Sequence, residues 1–227
     1  ICMLSPKGGM KEYMKEYIMK RMKKMIKMLL SSIFCLSMLA GCSSSPYAKT
    51  KAEPQTLTIQ GVPVYVEPND ELTQIEVDKH LKAIEEQPGY LMKNCTGIHL
   101  QGENLFREEG GDVSDSGAYT SIKEIYNDGK TNFGIGKKTE DIIKNDITHE
   151  LWHAFDYTYG NGGYHLSELD FNFNALYNQN PSSISEYGAT SVREFFAEGG
   201  AMYVSSPEEL KEKNIDVYNY FESLPKE

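Results

Sequence analysis

Histidine is sparse in this chain, five among 227 residues, and tryptophan occurs once. So few imidazoles argue against a histidine-rich, metal-scavenging surface, and they make any pairing of two of them informative. Positive charge is short as well, 23 Lys and Arg against 33 Asp and Glu. The shortage sharpens beyond the N-terminus: residues 1–41 hold eight of the basic and two of the acidic residues, leaving 15 against 31, a net of −16, for 42–227. So acidic a surface disfavours nucleic acid and anionic lipid as partners and suits basic substrates. No internal repeat is present. No hydrophobic run is long either; the mostly apolar stretch 28–38 is short for a membrane-spanning helix.

Residues 1–41 nevertheless read as a targeting segment, to be set aside before the fold is considered. Lys23, Lys24 and Lys27 precede the apolar stretch, and Leu39-Ala40-Gly41-Cys42 closes it. That ending resembles the lipobox of bacterial lipoproteins. The resemblance implies that Cys42 is lipidated, heads the mature chain, and anchors it to the extracellular face of a bacterial cell membrane. A plain secretory signal and an uncleaved membrane helix are the alternatives, and Met10 and Met22 are candidate starts within the segment. Residues 42–55, opening on Ser43-Ser44-Ser45, read as a flexible tether. Residues 56–227 suffice for one domain with a real core, and the reading is of a monomer. With Cys42 acylated, Cys95 is the remaining thiol, so no intramolecular disulfide is available. It reads as a small core residue rather than a nucleophile.

Two of the five histidines fall in Thr148-His149-Glu150-Leu151-Trp152-His153. Residues four apart share one face of a helix, so His149 and His153 can grip one metal ion. Glu150 can reach a water beside that metal without being a ligand. Two neutral imidazoles leave room for a third protein ligand and an open position, the arrangement of catalytic zinc. The flanks support a buried helix. Ile143, Ile147, Leu151 and Phe155 recur at helical spacing. Thr139 is the expected N-cap with Glu140 and Asp141 in the first turn, and Gly160-Asn161-Gly162-Gly163 ends the helix.

A second segment, residues 185–203, carries Glu194 and Glu198 one turn apart among apolar and small residues. A carboxylate on such a helix is costly unless it is paired or bound to metal. Glu194 is therefore the candidate third ligand, and Glu198 can accept a hydrogen bond from the outer nitrogen of a ligating histidine. Ser191-x-x-Glu194 also fits a capping box, in which the glutamate only caps the helix.

Tyr187-Gly188 and Glu194-Phe195-Phe196-Ala197-Glu198, downstream of His149-Glu150-x-x-His153-Ala154-x-Asp156, resemble the catalytic domain of anthrax lethal factor and the bacterial secreted Pro-Pro endopeptidases that share its fold. The resemblance covers about 140–225. It implies one zinc ion held by His149, His153 and Glu194, Glu150 as general base, Tyr187 as donor to the developing oxyanion, and Glu198 in support. Trp152 departs from the pattern, standing where a small residue, commonly glycine, is expected. An indole there would either reshape the helix packing or narrow a substrate subsite.

The remaining elements complete an α+β expectation: a small N-terminal mixed sheet with a helix, packed on a helical C-terminal half that the resemblance implies is of zincin type. Strands are expected at 57–59, 62–66 and 97–100, and a helix at 70–86 with Leu72, Ile75, Leu81 and Ile84 inward and Pro88-Gly89 ending it. Residues 101–117 read as a loop. A hairpin is expected from 118–126 and 131–135, turned at Asn127-Asp128-Gly129. Helices are expected at 168–179, from Thr190 or Ser191 to 204, and in a last segment, 207–221. A strand just before the metal helix could pair with an extended peptide, or could simply cover it. The function expected is a zinc metalloendopeptidase acting on extracellular protein or peptide substrates. The alternative is a zinc-containing surface lipoprotein that binds a protein partner without cleaving it.

Overall fold

Apolar residues alternate along Val62-Pro63-Val64-Tyr65-Val66, and the backbone obeys the pattern: Val62, Val64 and Val66 are buried while Pro63 and Tyr65 are half-exposed. The structure is a computed structural model and describes residues 50–67, 72–108, 117–127, 132–133, 136–137 and 139–226. These belong to one compact unit, Ser45–Glu227. Cys42 and the targeting segment lie outside the described residues, and no described helix is long and apolar enough to cross a membrane.

Strand β1 (Gln55–Ile59) turns through Gln60 and Gly61, both at positive φ, into β2 (Val62–Val66). Helix α1 (Gln74–Glu85) and the short α2 (Gly89–Met92) lead to β3 (Gly97–Leu100), α3 (Glu103–Glu108), β4 (Ala118–Ser121) and β5 (Glu124–Asn127). The sheet order is β1-β2-β3-β5-β4, with the outer pairs antiparallel and the two inner pairs parallel. Its register puts Val64, Ile98 and Ile125 side by side on the face that joins the core. On the other face Tyr65, His99, Tyr126 and Tyr119 stack across four strands, with centroids 4.5–5.0 Å apart. Beyond a two-stranded pair, β6 (Asn132–Phe133) and β7 (Gly136–Lys137), the chain is helical: α4 (Glu140–Thr158), α5 (Leu166–Leu169), α6 (Phe171–Gln179), α7 (Val192–Ser205), α8 (Pro207–Lys213) and α9 (Ile215–Ser223), with 3-10 turns at Pro181–Ser183 and Gly188–Thr190. The fold is thus mixed α+β, as expected.

Several boundaries differ from the sequence expectation, and each has a local cause. Helix α1 starts at Gln74 rather than residue 70, because Thr73 and Glu76 form a capping box. Leu72 is buried ahead of it, Ile75 turns outward, and Val77, His80, Ala83 and Ile84 face the core. Pro88 does end that helix but also opens α2, and residues 103–108 form α3 where a loop was expected. The hairpin turns at Ile122-Lys123, five residues early. Residues 124–127 pair with β3, so 118–121 must fold back on them, and Ile122 takes φ 62° to close the turn. Asp128 and Gly129 lie outside the described residues. The helix expected at 168–179 is broken by Asp170, which accepts from Asn172 N and Phe173 N and so caps α6. Asn214 divides the last segment in the same way, accepting from Val217 N.

The core centres on α4 and α7. Trp152, Phe155, Phe173, Phe195, Phe196 and Phe221 are all fully buried, and most of their ring contacts are edge-on or tilted, arrangements that suit the aromatic quadrupole. Gly199 and Gly200, adjacent in the middle of α7, make this packing possible. A Cβ on Gly199 would stand 2.8 Å from the Phe221 ring, and one on Gly200 would stand 2.5 Å from the Trp152 ring. Gly200→Ala is therefore expected to destabilise the protein by about 1–3 kcal/mol through overpacking, read by urea titration of the metal-free protein. Unchanged stability would show that Trp152 does not lie against this helix.

Candidate metal centre

Helix α4 begins as its sequence dictates. Thr139 accepts from Ile142 N at 3.3 Å, and Glu140 and Asp141 occupy the first turn. It stops where the chain must reverse tightly: a Cβ on Gly160 would lie 1.9 Å from Tyr164 O, so only glycine fits. Between these ends His149 and His153 project one turn apart toward α7. Ser191 caps α7 by accepting from Glu194 N at 3.1 Å. The cap therefore forms, but the Glu194 carboxylate is directed at the two histidines.

His149 Nε2 stands 3.1 Å from Glu194 Oε2 and 3.1 Å from His153 Nε2, and His153 Nε2 lies 3.3 Å from Glu194 Oε2. Three donors at ~2.0–2.1 Å from a tetrahedral metal are roughly 3.3–3.4 Å apart, so the triangle is close to the size required. Two ring nitrogens facing each other can share only one proton, whereas a cation satisfies all three lone pairs. These residues can hold a metal ion.

The surroundings favour positive charge at this point. Burial opposes protonation of His149, yet the Glu194 and Glu198 carboxylates outweigh it and hold its pKa at about 10. Burial works to raise Glu194, but hydrogen bonds from His149 and His153 hold it well below the usual carboxylate range. Glu198 is treated alike: burial is overcome by His149 and Ser185, and its pKa is lowered. Its Oε1 lies 3.0 Å from His149 Nδ1. A proton on Nδ1 leaves the Nε2 lone pair for a metal.

Glu150 is buried at the floor of the same cleft, with Thr120 Oγ1 2.7 Å from its Oε2 and 2.9 Å from its backbone oxygen. Tyr187 also lines the cleft, 41% exposed, with its ring centroid 5.9 Å from that of His149. The structure thus brings His149, His153, Glu194, Glu150, Tyr187 and Glu198 into one neighbourhood. No protein-family model matches this chain, and no curated protein does. The site is therefore read from its own geometry.

Three cleft residues escaped the sequence reading. Thr120 comes from β4, and only the sheet register, which pairs it with Ile125, turns it toward α4. Arg193 donates through Nε and Nη2 to Glu168 Oε1 at 3.0 and 2.7 Å. His165 follows the glycine-rich turn, and burial and the nearby Arg193 lower its pKa. The last two had a faint signal, one adjoining a ligand and the other being one of five histidines. Trp152, by contrast, is absent from the cleft: its ring is 1% exposed in the core. Of the two consequences expected for it, the structure has the packing one.

If this triangle holds a metal ion, replacing Glu194 by alanine is expected to weaken its binding, probed with zinc, by more than the ~10–100-fold typical of losing an outer partner, read by competition with a chelator of known affinity. Unchanged affinity would remove Glu194 from the ligand set.

Proposed function

We propose that the protein is a zinc-dependent metalloendopeptidase that hydrolyses peptide bonds in extracellular proteins. The observation that carries the reading is the convergence of His149 Nε2, His153 Nε2 and Glu194 Oε2 beside the Glu150 carboxylate in one cleft. Two imidazoles and one carboxylate are a borderline donor set suited to zinc, and three protein ligands leave a position open for chemistry. A zinc ion bound there would supply Lewis-acid polarisation and make a neighbouring water more acidic. Glu150 takes the proton of the attacking water and passes it to the leaving amine. Thr120 holds one oxygen of Glu150, leaving the other for that exchange. Tyr187 offers its hydroxyl to the oxygen that gains charge as the carbonyl is attacked.

A peptide substrate is supported by β4. Ala118, Tyr119 and Thr120 of this strand line the same cleft as Glu150, which gives an extended chain a backbone surface beside the proposed base. The likeness of the motif set to the lethal factor catalytic domain supports the same reading and a zincin-type helical half. Attachment to the outer membrane face through a lipidated Cys42 is part of the proposal and rests on the lipobox. The competing reading is a lipoprotein that binds without cleaving, with Trp152 reshaping the cleft. With that ring in the core, no feature of the cleft favours it.

Exposing the protein to a randomised peptide library, with and without a chelator, tests the proposal: chelator-sensitive cleavage is expected. Glu150→Gln should abolish cleavage, a loss of at least about 100-fold, while zinc content stays at one per chain. Cleavage that survives in that variant would sink the mechanism, and no cleavage by the wild type would favour the binding module.

A further inference from the structure

Ser185 stands two residues before Tyr187 and bonds in two directions. Its Oγ donates to Glu198 Oε2 at 2.8 Å and accepts from Gly188 N at 2.8 Å. The other oxygen of Glu198 lies 3.0 Å from His149 Nδ1, and His149 Nε2 is one corner of the metal triangle. An unbroken line of hydrogen bonds therefore runs from Gly188 N–H through Ser185 and Glu198 to His149. Tyr187 is enclosed by the same turn, since Thr190 N and Oγ1 both donate to its backbone oxygen, at 3.0 and 2.7 Å. The turn is pressed close: a Cβ on Gly188 would stand 3.2 Å from Ser185 Oγ, 3.4 Å from Phe195 Cα and 3.5 Å from Glu198 Cβ.

We infer that Ser185 is a positioning residue that ties the Tyr187 turn to the metal ligand His149 through Glu198. The inference rests on the metal-centre reading above. A cation on Nε2 polarises the imidazole and strengthens the Nδ1–H bond to Glu198. Glu198, held at its far oxygen by Ser185, transmits that constraint to the turn. Cation binding and the placement of Tyr187 thus become one event. Without the Ser185 hydroxyl, Glu198 is free to rotate, His149 loses its fixed ring plane, and the turn loses its anchor.

The test uses the full chain and zinc alone. Zinc affinity, by competition with a chromogenic chelator, is expected to fall about 10-fold in S185A and to be retained in S185T. S185A should add nothing in an E198A background, because both act on one line of bonds. Amide hydrogen exchange over 185–190 should slow on zinc addition in the wild type and not in S185A. Wild-type zinc affinity in S185A, or additive losses in the double variant, overturns the inference. A purely structural serine would instead lower the thermal midpoint of the metal-free protein and leave zinc affinity alone. If S185A does not fold, G188A presses on Ser185 Oγ from the other side, and the same weakening is expected; undiminished affinity there also overturns it. A wild-type chain that binds no zinc overturns the metal reading and this inference together, a result distinct from tight binding by both wild type and S185A.

Discussion

Everything at this site depends on how closely α4 and α7 approach. A carboxylate oxygen on one helix must come within 3.1 Å of a ring nitrogen on the other, and neither side chain is long enough to bridge widely spaced axes. Gly199 and Gly200 allow the approach. One lies flat against Phe221 and the other against Trp152, so α7 is clamped between α4 and α9 with no Cβ on either contact. Glycine in mid-helix costs roughly 1 kcal/mol relative to alanine. Here the cost is offset by the burial of two aromatic rings, each contributing on the order of 2–3 kcal/mol by area.

That approach has an electrostatic consequence. Three carboxylates, Glu150, Glu194 and Glu198, are brought into one largely buried region of an already acidic protein. Each has a partner: Thr120 for Glu150, the two histidines for Glu194, and His149 with Ser185 for Glu198. The pairing prevents the desolvation penalty from unfolding the site, but it leaves a surplus of negative charge around His149. The raised pKa of His149 is one expression of that surplus, and the same surplus would favour a cation at this point. A structural ion pair would be better served by an arginine, whose fork matches a carboxylate, than by two imidazoles sharing one glutamate.

The helical half and its metal candidates were legible in the sequence because their signals are local. His149 and His153, like Glu194 and Glu198, are related by helical spacing, and a buried carboxylate demands a partner wherever it occurs. Thr139 and Ser191 were readable as caps for the same reason. What escaped depended on long-range pairing or on single capping residues inside a periodic stretch. Nothing near Thr120 announces that it faces α4; that follows from β5 choosing β3 as a partner and dragging β4 to the edge. Asp170 and Asn214 interrupt stretches whose apolar periodicity continues across them, so periodicity alone merges the helices they separate. Ser185 is one of many serines, and only its distance to Glu198 singles it out.

Trp152 bears on which parts of the cleft are free to vary. A small residue at 152 would leave a void against Gly200, and a larger residue at 200 would collide with the indole. The two positions are therefore reciprocal: the bulk that departs from the motif on α4 is matched by missing bulk on α7. The exchange stays within the core, so it leaves the walls of the cleft alone. Those walls include Thr120 of β4, the exposed Ile122 in the turn after it, and Arg193, held by Glu168, with His165. Arg193 brings the guanidinium to a cleft otherwise floored by carboxylates. Under the proposed function, any preference for residues near a scissile bond would arise there, because the buried faces of α4 and α7 are committed to holding His149, His153 and Glu194 together.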